Sequence, residues 1–172
     1  MAIFTLEELK SMITVNIGDY KTAKGDAKLV TRDLGSCVGI AMWDGKANVG
    51  GLLHIMLPQH VLSDSAEKTF NPAKYADTGL DEMVGALVRQ GALQSRLQVK
   101  ICGAAHMLKM DNVPEGEDIS SRNLAAVEKK LSELKIPIVA SDVGGYRPRT
   151  MVFEPGSGSL MVVLSGKTCK LM

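Results

Sequence analysis

At 172 residues the chain is long enough to bury a core and too short for two ordinary domains, so a single domain over residues 1–172 is expected. An apolar share of 45% is ordinary for a globular protein, and a formal charge of +1 with scattered Lys and Arg excludes the basic surface of sequence-independent nucleic-acid binding. No basic, apolar leader opens the sequence and no run approaches the roughly 20 apolar residues of a membrane span, so a cytoplasmic protein without membrane insertion is expected.

Thr5-Leu6-Glu7-Glu8 reads as a capping box opening a short helix to about Met12. Residues 13–18 and 27–31 read as strands, with Gly18-Asp19 and Gly25-Asp26 as breakers. Val38 to Trp43 and Asn48 to Met56 flank Asp44-Gly45, a strong hairpin signal, and Pro58 ends the second run. From about Pro72 to Gln90 the period changes: Leu80, Met83, Val84, Leu87 and Val88 fall on one helical face, and Gly91 is the stop. Leu97 to Cys102 reads as a strand, followed by a polar loop with Pro114 and Gly116. Leu124, Val127, Leu131 and Leu134 mark a second amphipathic helix, capped by Ser120 or Ser121. Ile136 to Ala140, Thr150 to Glu154 and Leu160 to Leu164 read as strands separated by Gly144-Gly145 and Pro155-Gly156. About eight strands and two long helices, with hairpins at both ends, predict an α+β fold in layers rather than a doubly wound parallel sheet.

The chemistry concentrates in Thr31-Arg32-Asp33-Leu34-Gly35-Ser36-Cys37 and in His54. Cys37 opens the first strand of the Asp44-Gly45 hairpin and His54 lies near the end of the second, so closing the hairpin brings thiol and imidazole side by side. Contact also requires a shared face, which depends on register. Beside an imidazolium a thiol loses its proton more readily than at its free pKa of about 8.5, and a thiolate–imidazolium pair is the expected nucleophile of a cysteine hydrolase. Gly35 permits close backbone approach, and the Cys37 N–H is a candidate oxyanion donor. A third group must hold the other ring nitrogen of His54; Thr31 and Asp33 both qualify, and spacing does not choose.

Other features read as structure. The three cysteines, Cys37, Cys102 and Cys169, form no disulfide framework or CxxC pair, and no pairing of His60 or His106 with Cys37 or Cys102 has zinc-ligand spacing, so neither metal nor cofactor is expected. Gly156-Ser157-Gly158-Ser159 lies between strands and reads as a turn, and the scattered methionines read as packing.

Leu34-Gly35-Ser36-Cys37-Val38 and Gly50-Gly51-Leu52-Leu53-His54-Ile55-Met56-Leu57-Pro58 resemble the cysteine and histidine motifs of the CheD family. Lys74-Tyr75-Ala76-Asp77, Lys100-Ile101-Cys102-Gly103-Ala104-Ala105, Arg122-Asn123 and Asp142-Val143-Gly144-Gly145 extend the resemblance over most of the chain, roughly Val15 to Val163. That resemblance implies a Cys-His-Thr triad, here Cys37, His54 and Thr31, and so favours Thr31 over Asp33. It implies hydrolysis of glutamine side-chain amides on chemotaxis receptors, in some members of glutamate methyl esters too. It implies a largely antiparallel, mixed-sheet sandwich with flanking helices, similar to the catalytic domain of cytotoxic necrotizing factor toxins. It also implies a CheC-type phosphatase as partner; a module that chiefly stimulates such a phosphatase is the alternative function, and a monomer is expected. Ser120 stands where the family usually has Gly, Cys102 where it has an aromatic residue, and Pro148 where it has Gly before Arg149. These departures bear on substrate or partner preference rather than on the chemistry.

Overall fold

The computed structural model describes residues 6–61, 69–107, 114, 116–164 and 168–172. The first half of the chain forms α1 (Leu6–Ser11), β1 (Ile13–Thr14), β2 (Asp19–Lys24), β3 (Leu29–Leu34), β4 (Val38–Asp44) and β5 (Val49–Ile55). A 3-10 turn (Pro72–Lys74) leads into α2 (Ala76–Arg89), and β6 (Gln98–Gly103) follows. The rest is α3 (Ile119–Glu133), β7 (Ile138–Val143), β8 (Arg149–Glu154), β9 (Ser159–Leu164) and β10 (Thr168–Leu171).

The strands form two five-stranded sheets, β1-β3-β8-β9-β10 and β2-β5-β4-β6-β7. All neighbours are antiparallel except β1 with β3 and β6 with β7. The expected α+β layers are present. Every residue of β4 and β5 is buried, because both faces of the second sheet are covered. One face packs on the helices: Val38, Ile40, Met42, Leu53 and Ile55 join Leu80, Met83, Leu87, Val127 and Leu131 in one core. The other face meets the first sheet, where Ala41, Trp43, Leu52 and Cys102 pack against Leu29, Leu34, Met151, Phe153 and Val162. The candidate residues lie at one end of this inter-sheet layer.

Several boundaries differ from the sequence reading. Only Ile13–Thr14 of the 13–18 run is strand, while Gly18 turns with a positive φ of 69°. Asp19–Lys24, read as a break, is an edge strand paired along β5; its polar pattern hides a conformation imposed by its neighbour. Gly45 to Asn48 make a four-residue loop stabilised by the buried Asp44 carboxylate, which accepts from the Lys46 and Ala47 N–H groups and from Arg96. The helix expected from Pro72 breaks at Tyr75, and Val88, assigned to the buried face, is 45% exposed. Asp118 caps α3 in place of either serine: its Oδ1 accepts from Ser120 and Ser121 N–H. The strand expected over residues 136–140 starts later, at Ile138, and β10 was not anticipated. Thr5, the cap expected for α1, lies outside the described residues.

Candidate active site

The β4–β5 register places Gly39 opposite His54 and Val38 opposite Ile55. Cys37 precedes Gly39 by two residues, and its carbonyl accepts from Ala104 N–H at 2.7 Å, continuing the β4–β6 pairing one step. By the strand period, Cys37 and His54 share the inter-sheet face. Cys37 is partly exposed and His54 is fully buried beneath the surface. Between them on that face the side chains of Met151 and Leu34 pack onto Gly39, where a Cβ would collide with both.

A bulge in β3 sets Thr31 and Asp33 on opposite sides. Thr31 pairs with Met151 and Leu34 with Arg149, so β3 has one residue more than β8 between those pairs. Asp33 takes up the excess with a φ of 59°. Thr31 and Leu34 both point inward as a result, and Asp33, which an unbulged strand would have turned inward, is exposed. Thr31 Oγ1 lies 2.7 Å from His54 Nδ1 and 2.8 Å from the Val15 carbonyl oxygen. The carbonyl can only accept, so the single hydroxyl proton goes to Val15. Oγ1 must then accept from His54 Nδ1–H. That hydrogen bond fixes the tautomer, leaving a lone pair on Nε2. Nε2 is buried with no hydrogen-bond partner among the described residues, the Cys37 sulfur included.

Electrostatics correct one expectation. Burial raises the Cys37 thiol pKa, against a smaller lowering by its own backbone N–H. Burial lowers His54 to about 4, and the nearby Asp33 charge offsets only part of this. Both shifts favour neutral forms, against the thiolate–imidazolium pair expected from proximity alone.

The loop before Cys37 is tied to the strap after β6. Ala105 N–H donates to the Gly35 carbonyl at 2.7 Å, and Gly103 has a φ of 115°. Any side chain at Gly103 would meet the Cys37 carbonyl oxygen. Met107, exposed at the rim, packs over Gly35 so closely that a Cβ at Gly35 would sit 2.9 Å from its Cγ. Met56 is likewise exposed just past His54, so these two methionines are not core packing. Asn123 of α3 donates to the carbonyls of Ser36 and Met56, each at 3.0 Å. Sequence reasoning missed the roles of Val15, Gly103 and Asn123. Val15 acts through its backbone, and Gly103 and Asn123 had surfaced only within longer motifs.

Ser120 Oγ donates to the Ala105 carbonyl at 2.8 Å, bracing the strap. Cys102 is buried opposite Gly39, its pKa pushed up to about 12 by burial. Arg149, following Pro148, donates to Asp142 Oδ1 at 2.9 Å and to the Gly144 carbonyl at 2.7 Å. His106 pairs with Asp118 at 3.2 Å and His60 packs between Phe70 and Tyr75, so neither joins Cys37. Among the described residues no three His, Cys, Asp or Glu side chains converge as a metal site, and no helix is long and apolar enough to cross a membrane.

Comparison with known proteins agrees with the motifs. A family profile described as CheD chemotactic sensory transduction matches residues 56–163. That span begins past His54, so the match is independent of the three candidate residues. A protein of Clostridium botulinum strain Hall named probable chemoreceptor glutamine deamidase CheD is 41% identical over 154 residues, 90% of this chain and 93% of that protein. A protein of the same name from Desulforamulus reducens is 40% identical over 160 residues, 93% of this chain and 95% of that protein. With identity at this level over nearly the whole of both proteins, the chain belongs to the CheD family.

Proposed function

We propose that the chain is a cysteine-dependent protein-glutamine amidohydrolase, residues 1–172 acting as one domain that converts glutamine side chains of chemotaxis receptors to glutamate. The names of its relatives support the reaction and substrate class. The observation that carries the residue assignment is the Val15–Thr31–His54 chain of hydrogen bonds, which leaves Nε2 unprotonated on the face shared with Cys37.

In this mechanism Nε2 takes the Cys37 proton as the sulfur attacks the carboxamide carbon, so the thiolate forms only as it is consumed. The resulting oxyanion is met by backbone N–H groups at the loop, with Cys37 N–H the candidate donor. Collapse expels the amine, protonated by Nε2–H as ammonia, and leaves a thioester. Water then loses a proton to Nε2 and attacks the thioester, releasing glutamate and the thiol. Neutral resting groups suit this cycle, because His54 enters it as a base. Apo hydrogen bonds of this kind commonly tighten only in the substrate complex, which accommodates the missing sulfur–nitrogen bond. Methyl esters present the same acyl carbon, so methylesterase activity belongs to the same machinery.

The test is ammonia release from a receptor cytoplasmic fragment. The wild type should release it and Cys37→Ala should not; release by the alanine variant would remove Cys37 from the mechanism. The alternative is a protein that chiefly docks on and stimulates a CheC-type phosphatase in the cytoplasm. Under it, Cys37→Ala would leave phosphatase stimulation intact while no fragment is deamidated even by the wild type.

A further inference from the structure

Helix α3 reaches the ends of β4 and β5 through the side chain of Asn123. Asn123 is fully buried, and its Nδ2 donates both protons, one to the Ser36 carbonyl and one to the Met56 carbonyl, at 3.0 Å each. Ser36 immediately precedes Cys37, and Met56 follows His54 by two residues. The β4–β5 pairing ends at Val38 with Ile55, so both carbonyls lie beyond the last paired residues. Past that point, among the described residues, no hydrogen bond links the two segments directly, and the amide supplies the missing rung. Its orientation is fixed, since the flipped amide would set Oδ1 against two carbonyl oxygens. Oδ1 is left buried without a partner among the described residues. An unpaired buried carbonyl is unfavourable, so the position is explained by its two donors rather than by packing.

We propose that Asn123 is a positioning residue, whose side-chain amide sets the spacing between the Cys37 sulfur and His54 Nε2. The proposal rests on the reading of those two groups as nucleophile and base. It acts at the step where proton transfer and attack coincide, because no hydrogen bond between them holds the pair in the free protein. A displacement of about 1 Å at such a centre costs about 100-fold in rate.

Asn123→Asp keeps the shape but replaces the doubly donating nitrogen with an oxygen that repels the two carbonyls; Asn123→Ser retains one donor. Folded Asn123→Asp should lose about 100-fold in kcat at neutral pH with KM little changed. Its deficit should shrink as pH falls, since a protonated carboxyl there can donate to one carbonyl, whereas Asn123→Ser should lose less and show no such recovery. Iodoacetamide alkylation of Cys37 gives a readout that needs no substrate: both variants should alter its pH–rate profile. If the wild type deamidates nothing, the functional reading fails while the alkylation profiles still test the positioning. Folded variants with wild-type kcat, or, where no activity exists, wild-type alkylation profiles, would overturn the proposal. Should neither variant fold, exchange of the wild-type Asn123 side-chain amide decides: protection matching the β4–β5 backbone supports the clamp, and exchange at a free amide's rate overturns it.

Discussion

At the residue scale one hydroxyl orients the buried histidine. Thr31 gives its only proton to Val15 and must take one from His54, so the ring is held in the tautomer that can act as a base. Thr31→Ala should lower kcat by about 10- to 100-fold, the usual cost of losing the outer partner of a functional histidine. Asp33→Ala should do far less, since the exposed carboxylate reaches His54 only through its field. An inactive Asp33→Ala beside an active Thr31→Ala would reassign the role. The neutral resting pair carries its own prediction. Alkylation of free Cys37 should rise with pH at or above the ordinary thiol range, because burial raises its pKa. High, flat reactivity between about pH 5 and 8 would instead reveal an ion pair. Spacing could not separate Thr31 from Asp33, because the answer depends on a bulge set by the register with β8. The roles of Val15 and Asn123 were not legible either, because hydrogen bonds join them to the site across 16 and 67 or more positions of sequence.

At the scale of elements, the site is built by three independent segments meeting at the end of a hairpin. The hairpin was legible because an Asp-Gly turn and two apolar runs are local signals. Its loop proved longer than two residues because Asp44 is held inside by Arg96 and the Leu93 N–H, as well as by its own loop. The edge strand β2 was not legible: its residues pair with β5 but bear no apolar alternation. The strap Gly103–Ala105 bonds the backbone on either side of Ser36, at Gly35 and Cys37. Gly103→Ala would force a left-handed φ on a side chain and drive it against the Cys37 carbonyl. That variant should lose most activity, with Cys37 alkylation altered. Wild-type turnover in Gly103→Ala would show that the strap does not fix the nucleophile.

For the whole molecule, the buried histidine couples folding to pH. His54 titrates at about 4 in the folded chain against an ordinary value near 6.5 unfolded, so the unfolded chain binds the extra proton between those values. The stability this contributes is fully present above about pH 6.5 and is lost as pH falls towards and through 4. The full shift corresponds to roughly 3 kcal/mol. Denaturant unfolding should therefore show stability declining over that window, and His54→Gln should remove most of the slope. A wild-type slope that survives in His54→Gln would place the titrating group elsewhere. The paired Asp118, held at about 2, acts in the same direction but at lower pH. The layered α+β arrangement was legible from the sequence because strand-like and helix-like periods occupy separate stretches. Which sheet each strand joins was not, since sheet partners are distant in sequence.

The central claim is that Cys37, with His54 as base, hydrolyses receptor glutamine amides. Mass spectrometry of a receptor cytoplasmic fragment, before and after incubation with the wild type and with Cys37→Ala, tests it most directly. The account predicts conversion of discrete glutamines to glutamate by the wild type alone. An unchanged fragment with folded wild-type protein, or equal conversion by Cys37→Ala, would contradict it.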